Sequence, residues 1–285
     1  MKTLVIGGTG TVGREVLAQL PVGGGVRAMV RNAARAGLPG HVEMVRGDLT
    51  VPESLDAALR GVETVFLVWT APPDAVVPAM ERILRQVRRI VFLSAPHRTD
   101  HPFFQAAQPN RMATMQAGIE GLIGKSGREW TFLRPGIFSA NSIGWWGPQI
   151  RTGDVVRWPY PEVATAPIDE RDIAAVAVRA LCEDGHAGAE YVITGPEALT
   201  QREQVAAIGR ALGRKLRMEE ISEEAARSEL LRVIPSPPVV GYLMKAWVAV
   251  EGHPAFVTST VEKLTGVPAR TFENWARDHA AAFRD

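Results

Sequence analysis

Two hydrophobic rhythms alternate over the first two-thirds of the chain. Short apolar runs, continuous or with period two, fall at residues 3–6, 26–30, 42–46, 62–68, 90–94, 130–133 and 190–193. Runs of this length predict strands. Between them, apolar residues recur at three- and four-residue spacing: Val12, Val16, Leu17 and Leu20 before Pro21, then 52–59, 78–87, 106–125 and 172–181. These segments predict helices. Strand and helix alternating at such short intervals predict an α/β fold, a doubly wound parallel sheet. Residues 136–167 interrupt the rhythm. They hold Gly, Pro and the large aromatics Phe138, Trp145, Trp146, Trp158 and Tyr160, so loop-rich chain able to wall a pocket is expected there. Thr200 and Glu203 form a capping-box pattern opening a helix to Leu212, and 214–285 reads as mostly helical. The expected organisation is a sheet domain over 1–150, completed by 165–200, and a smaller, mostly helical lobe over 201–285.

Composition narrows the classes. Across 285 residues, 32 Lys and Arg against 31 Asp and Glu leave a net charge of +1, without the basic excess of a dedicated nucleic-acid binder. The single cysteine, Cys182, allows neither a disulfide framework nor a Cys/His metal site, so no metal is expected. Its helical surroundings predict a packed core thiol. His186, His253 and His279 lack metal-ligand spacing. The apolar run before Gly7 is too short for a secretory signal, and no run approaches a bilayer span. A cytoplasmic protein acting without membrane or nucleic acid is the expectation, with homo-oligomerisation left open.

The chemistry concentrates at Gly7-Gly8-Thr9-Gly10-Thr11-Val12-Gly13, between the first strand and first helix. Gly7 permits a tight turn, Gly10 lets backbone approach a pyrophosphate, and Gly13 lets the helix pack on the strand. The helix N-terminus then presents N–H groups and a positive dipole end to phosphate. This context makes the motif a dinucleotide site of the Rossmann type. The second strand ends not in an acid, which would favour NAD, but in Arg31-Asn32-Ala33-Ala34-Arg35. Arg31 and Arg35 can pair with a 2′-phosphate, which predicts NADP(H) over NAD(H). Asp48, ending the third strand, can accept from the adenine amino group or cap the following helix.

These residues resemble the NmrA-like, atypical branch of the short-chain dehydrogenase/reductase superfamily. The matching pieces are Gly7–Gly13, Val-Arg-Asn at 30–32, Gly-Asp-Leu at 47–49, Trp-Thr-Phe-Leu-Arg-Pro-Gly at 130–136, Ile-Asp-Glu-Arg-Asp-Ile-Ala at 168–174 and Tyr-Val-Ile-Thr-Gly-Pro at 191–196. They are collinear over about the first 215 residues and bring Leu49 and Pro135 into the candidate cofactor set. The resemblance implies a Rossmann domain with a C-terminal substrate lobe. It implies relatives that include quinone reductases, triarylmethane dye reductases, phenylpropanoid reductases and non-catalytic redox sensors. Active superfamily members carry Tyr-x-x-x-Lys on the helix after the fifth strand, with a glutamate four residues beyond the lysine. Registering on Glu120 puts Met112 at the tyrosine position and Gln116 at the lysine position. Neither is a proton donor of useful pKa, although Gln116 can hydrogen-bond a ribose.

The remaining candidates are polar groups near the fifth strand's end: Ser94, and His97, Arg98 and His101 as proton relay or substrate anchor. Phe138, Asn141, Trp145 and Trp146 are candidate pocket residues. The expected function is NADPH-dependent reduction of a hydrophobic aromatic or conjugated small molecule (quinone-, dye-, enone- or iminium-like). Two alternatives stay open: an NADP(H)-sensing regulator that binds a protein partner, and a non-redox biosynthetic enzyme on the same fold.

Overall fold

The computed structural model describes residues 2–106 and 110–284, the Arg35 side chain excepted. The chain enters as β1 (Thr3–Ile6), α1 (Thr11–Gln19), β2 (Val26–Val30), β3 (Glu43–Arg46), α2 (Leu55–Leu59), β4 (Thr64–Val68), α3 (Val76–Gln86) and β5 (Arg89–Leu93). It continues as α4 (Pro102–Gln105), α5 (Arg111–Gly124), β6 (Glu129–Pro135), α6 (Asn141–Thr152), β7 (Val155–Trp158), β8 (Ala164–Thr165), α7 (Glu170–Cys182) and β9 (Ala189–Ile193). The last part comprises β10 (Leu199–Thr200), α8 (Gln201–Leu212), β11 (Arg217–Glu220), α9 (Glu223–Val233), α10 (Pro237–Ala249), α11 (Thr260–Thr265) and α12 (Phe272–Asp278).

Seven parallel strands form the main sheet in the order β3-β2-β1-β4-β5-β6-β9. Central strands β1 and β5 are buried throughout, as a parallel sheet covered on both faces requires. On one face, Val16 and Leu17 of α1, Ile173 and Val176 of α7 and Val261 of α11 share a core. On the other, Leu55 of α2, Met80 and Ile83 of α3, and Ile119 and Ile123 of α5 form a second. A third core, outside the main sheet, joins Phe103, Phe104, Trp145, Trp146 and Trp158 to Trp247, Trp275 and Phe283. β7 and β11 pair in parallel beside it. Among the described residues no helix is long and apolar enough to cross a membrane.

Three expectations are corrected. Residues 136–167 are not loop-dominated: α6 forms despite Gly144, Gly147 and Pro148, with Trp145, Trp146 and Ile150 buried. Burying that apolar face outweighs poor local propensity. The helix expected at 106–125 starts only at Arg111, where the Asn110 side chain accepts from the Ala113 N–H. Part of the expected start, 107–109, lies outside the described residues. Cys182 is exposed rather than packed in a core, because it is the last residue of α7, beyond the helix's buried face.

The acidic start of α7 fastens the C-terminal segment. Asp169 caps the helix through the Arg171 N–H, and its other oxygen takes Arg171 and Arg270. Asp172 accepts the Arg270 N–H at 2.7 Å. Glu170 receives the Trp275 indole N–H and faces His279 at 3.1 Å. Burial pushes the Asp172 carboxyl up to about 6, against the lowering effect of the Arg270 bond. Hydrogen bonding to Glu170 raises the His279 pKa.

Candidate functional site

Order reverses between β1 and β4, so the sheet has its switch point there, and ligands of such sheets bind outside the carboxyl ends of the strands. The glycine loop occupies the end of β1. Gly7 adopts φ +87°, and a Cβ there would sit 2.7 Å from Val68 Cβ. A Cβ on Gly13 would lie 2.2 Å from the Gly7 carbonyl oxygen, so the first turn of α1 is drawn directly against the loop. Gly10 is the N-cap of α1 and offers no capping side chain. The first-turn N–H groups of a helix have no intrahelical acceptor, and here they face a loop whose Thr9, Gly10 and Thr11 are exposed while Val12 and Gly13 are buried. This cradle fits a dinucleotide diphosphate.

Arg31 is exposed immediately after β2, and Asn32 caps the following turn through the Ala34 N–H. The Arg35 side chain lies outside the described residues. Arg14, which the motif reading passed over, ties the two loops together. Its guanidinium donates to Thr9 O at 3.0 Å, Gly37 O at 2.9 Å and Ala36 O at 2.8 Å. Asp48 uses Oδ1 locally, accepting from the N–H of Thr50 at 2.9 Å and its hydroxyl at 2.8 Å. Those bonds hold its carboxyl below the ordinary range, with Arg31 adding to the effect. Leu49 is buried beside it in the core on that face of the sheet.

From β1 through β4 and β5 to β6 the crevice covers three inter-strand steps, about 14 Å at ~4.8 Å each. At its β5–β6 end stands a buried charge cluster. Glu120 on α5 is 3% exposed and accepts Arg134 Nε at 3.0 Å on one oxygen and Arg134 Nη2 at 2.7 Å on the other. Ser94 Oγ donates to the same carboxylate at 2.7 Å. The Ser94 hydroxyl is thus engaged by a side chain, not by backbone. His97 Nε2 lies 3.4 Å from Glu120, and its Nδ1 is 2.9 Å from Ala95 O. Burial alone would lower the Arg134 pKa, but Glu120 and Glu190 outweigh it and keep the guanidinium charged. The sequence did carry a signal for this pair. An arginine inside the apolar strand Trp-Thr-Phe-Leu-Arg-Pro needs a buried partner.

On the same helix, Met112 is 56% exposed and Gln116 9% exposed, and Gln116 Oε1 has no partner. Neither supplies an acid. Among the chain's three tyrosines, Tyr160 donates to Glu223 and Tyr191 meets His186 at 2.8 Å. Burial and Glu223 push Tyr160 up to about 12. Pro135 ends β6, buried. Next to it opens a narrow cleft, part open to solvent, lined by His101, Phe104, Gly136, Ile137, Thr194 and Phe256, among others. Phe138 is half-buried against the sheet core and pairs with Ile168, while Asn141 opens α6. Trp145 and Trp146 do not line that cleft. They pack with Trp158 in the third core, and Trp146 is fully buried. Phe104, Thr194 and Phe256, distant in sequence, carried no signal that they would meet.

A family profile described as NAD(P)H-binding matches residues 7–184, from the glycine loop to just beyond α7. The chain belongs to the NAD(P)H-binding family. Within it, this chain is 42% identical to a (4-alkanoyl-5-oxo-2,5-dihydrofuran-3-yl)methyl phosphate reductase of Streptomyces griseus, over 98% of each chain. It is 35% identical to an NAD(P)H azoreductase of Xenophilus azovorans, again over 98% of each. Among solved structures, the Escherichia coli NADPH-dependent quinone oxidoreductase complexed with NADPH superposes with a TM-score of 0.77 at 22% identity, covering 97% of this chain and 99% of that one. In fold the chain is also similar to NmrA, with a TM-score of 0.72 at 20% identity, covering 99% of this chain and 96% of that one. This NAD(P)H-binding chain is an NAD(P)H-dependent oxidoreductase.

Proposed function

We propose that the protein is an NADPH-dependent reductase of conjugated electrophiles, with an alkene or azo bond activated by neighbouring acceptor groups as its target. The observation that carries this reading is a diphosphate cradle at β1 joined to a β5–β6 end where Met112 and Gln116 stand in place of the proton-donating pair and the Glu120 carboxylate is taken up by Arg134 and Ser94. A simple ketone becomes a strongly basic alkoxide and needs a proton during reduction. An alkene flanked by two carbonyls becomes a stabilised enolate, which water can protonate afterwards. The relatives named for an alkanoyl dihydrofuranone and for azo compounds act on acceptors of this electronic kind.

Bound NADPH would supply a hydride to the acceptor's β-carbon and leave as NADP⁺, the alkene pair moving to the carbonyl oxygen before water protonates the α-carbon. The chain's own contribution is positioning. Amides of the 9–13 loop hold the diphosphate. Arg31 holds the 2′-phosphate. Asp48 and Leu49 border the adenine, Gln116 the nicotinamide ribose, and Pro135 with Phe138 and Asn141 the reacting end. The lobe formed by 201–285 with 136–167 closes over the substrate. Glu120, fixed by Arg134 and Ser94, sets α5 at the height that places Gln116.

The test is NADPH oxidation, followed by absorbance, with a 2-acylbutenolide, an azo dye, a quinone and cyclohexanone. The reading predicts turnover with the conjugated acceptors and none with cyclohexanone. Reduction of cyclohexanone alone would overturn it.

A further inference from the structure

We infer that the cleft between the ends of β6 and β9 is a subsite for an uncharged apolar arm of the substrate, an alkanoyl chain or aryl group attached to the reducible bond. The inference rests on the reductase reading above for its location beside the reacting end, and on the cleft's own chemistry for its ligand.

The cleft lies against Gly136, the residue after Pro135 at the end of β6. Three rings form one wall. His101 lies 5.8 Å from Phe104 and 5.7 Å from Phe256 between ring centroids, and Phe104 meets Phe256 edge-on at 6.0 Å. Ile137 and Ala166 add apolar lining.

The polar side chains of the lining are already engaged by protein. His101 Nδ1 accepts the Phe103 N–H at 3.3 Å, which makes Nε2 the donor to Pro254 O at 3.1 Å. That pairing needs the neutral imidazole, because a protonated Nδ1 cannot accept. Thr194 Oγ1 donates to Gly195 O and accepts the Thr258 N–H at 2.8 Å. Thr165 Oγ1 takes Gln204 Nε2 at 3.1 Å. No lysine or arginine lines the space. A phosphate or carboxylate placed there would lose its hydration without a compensating cation, whereas a hydrocarbon arm would lose only water contact. A charged group on the same substrate must therefore point elsewhere, towards solvent.

The space also has an adjustable size. Ala166 on one wall and Phe256 on another, the latter on the segment between α10 and α11, can be changed in opposite directions without touching the glycine loop. Burial of each methylene contributes about fourfold in affinity, so binding should climb along a homologous series until the space is full.

The experiment uses full-length protein with NADP⁺ and a series of saturated 2-acyl-γ-butyrolactones from acetyl to decanoyl, titrated calorimetrically. The matching 2-acylbutenolides are assayed with NADPH. Wild type should gain about threefold to fourfold in affinity per methylene over the first members and then level off. Ala166→Leu should bring the plateau several carbons earlier, and Phe256→Ala should move it later. In both variants the change should appear chiefly in KM for the longer members. A flat affinity series in the wild type overturns the subsite, even if the butenolides are reduced. Chain-length-dependent binding with no reduction of any butenolide keeps the subsite and overturns the reductase reading instead. Tighter binding of an ω-carboxylated acyl chain than of its methyl counterpart would also overturn the subsite.

Discussion

At the β1 end of the crevice the main chain shapes the candidate site: the sequence supplies glycine where φ is +87° or where a Cβ would meet a carbonyl 2.2 Å away, and Gly10 brings no capping side chain to α1. At the β5–β6 end side chains dominate, and Ser94, Glu120, Arg134 and Glu190 form a hydrogen-bonded chain rather than an acid aimed outward. One chain thus keeps the backbone demands of dinucleotide binding intact while α5 carries Met112 and Gln116 where the resemblance expects a proton-donating pair. Binding and proton delivery are separable requirements. The first is fixed by conformations few residues tolerate, and the second by side chains that a suitably activated substrate makes dispensable.

Four substitutions probe the contrast, in falling order of effect. Gly13→Ala places a methyl against the Gly7 carbonyl and should cost more than about 100-fold in NADPH affinity, beyond about 2.7 kcal/mol. Fluorescence titration measures the loss, and circular dichroism checks that the fold is kept. Affinity within threefold of the parent would mean the loop is not the cradle. Glu120→Gln should do the reverse. It leaves Arg134 with Glu190 as its remaining carboxylate, a loss of about 1–3 kcal/mol for a buried charged hydrogen-bond partner, visible as a fall in Tm on the order of 5 °C, with NADPH affinity changed less than threefold. Unchanged Tm would show that the cluster is not structural.

Arg31→Ala should weaken NADPH about tenfold, as expected for losing one charge-assisted bond of about 1.4 kcal/mol, and leave NADH unchanged. Equal losses for both cofactors would remove Arg31 from the 2′-phosphate.

The smallest effect concerns the acidic start of α7, which fastens the C-terminal segment. Asp172 has its folded pKa pushed up to about 6, chiefly by burial. The folded chain therefore holds that proton more tightly than the unfolded chain. Its contribution to stability is full below about pH 4 and is lost as pH rises through about 6. Asp172→Asn keeps an acceptor oxygen for the Arg270 N–H and removes the ionisation. It should raise Tm at pH 8 by about 2–4 °C, roughly 1 kcal/mol, with the difference shrinking through pH 6 and vanishing below about pH 4. The raised His279 pKa acts in both proteins and cancels in the comparison. A destabilised variant at pH 8 would show that the Asp172 charge is needed.

The strand–helix rhythm and the glycine spacing were legible because period and φ demands are local properties of the sequence. All seven expected strands lie in the parallel sheet, down to β9, while their order across it was not legible. Residues 141–152 were misjudged because Gly144, Gly147 and Pro148 argue locally against a helix that only burial of Trp145, Trp146 and Ile150 sustains. Cys182 was misplaced because a helix's last residue can leave the buried face. The cleft was not readable at all: His101, Gly136, Thr194 and Phe256 come from four separate segments, and no spacing rule joins them. Nor did any motif mark Arg14, whose three carbonyl acceptors exist only once the two loops have folded.

The central claim is that hydride comes from a cofactor held by the glycine loop while the proton comes from water. Reduction of a 2-acylbutenolide with NADPH deuterated at the transferring C4 position, in ordinary water, tests it directly by mass spectrometry and NMR of the product. The account predicts one deuterium on the β-carbon and an α-hydrogen drawn from solvent, at a rate that Met112→Ala leaves within about twofold. Deuterium on the acyl carbonyl carbon, giving an alcohol, would contradict it.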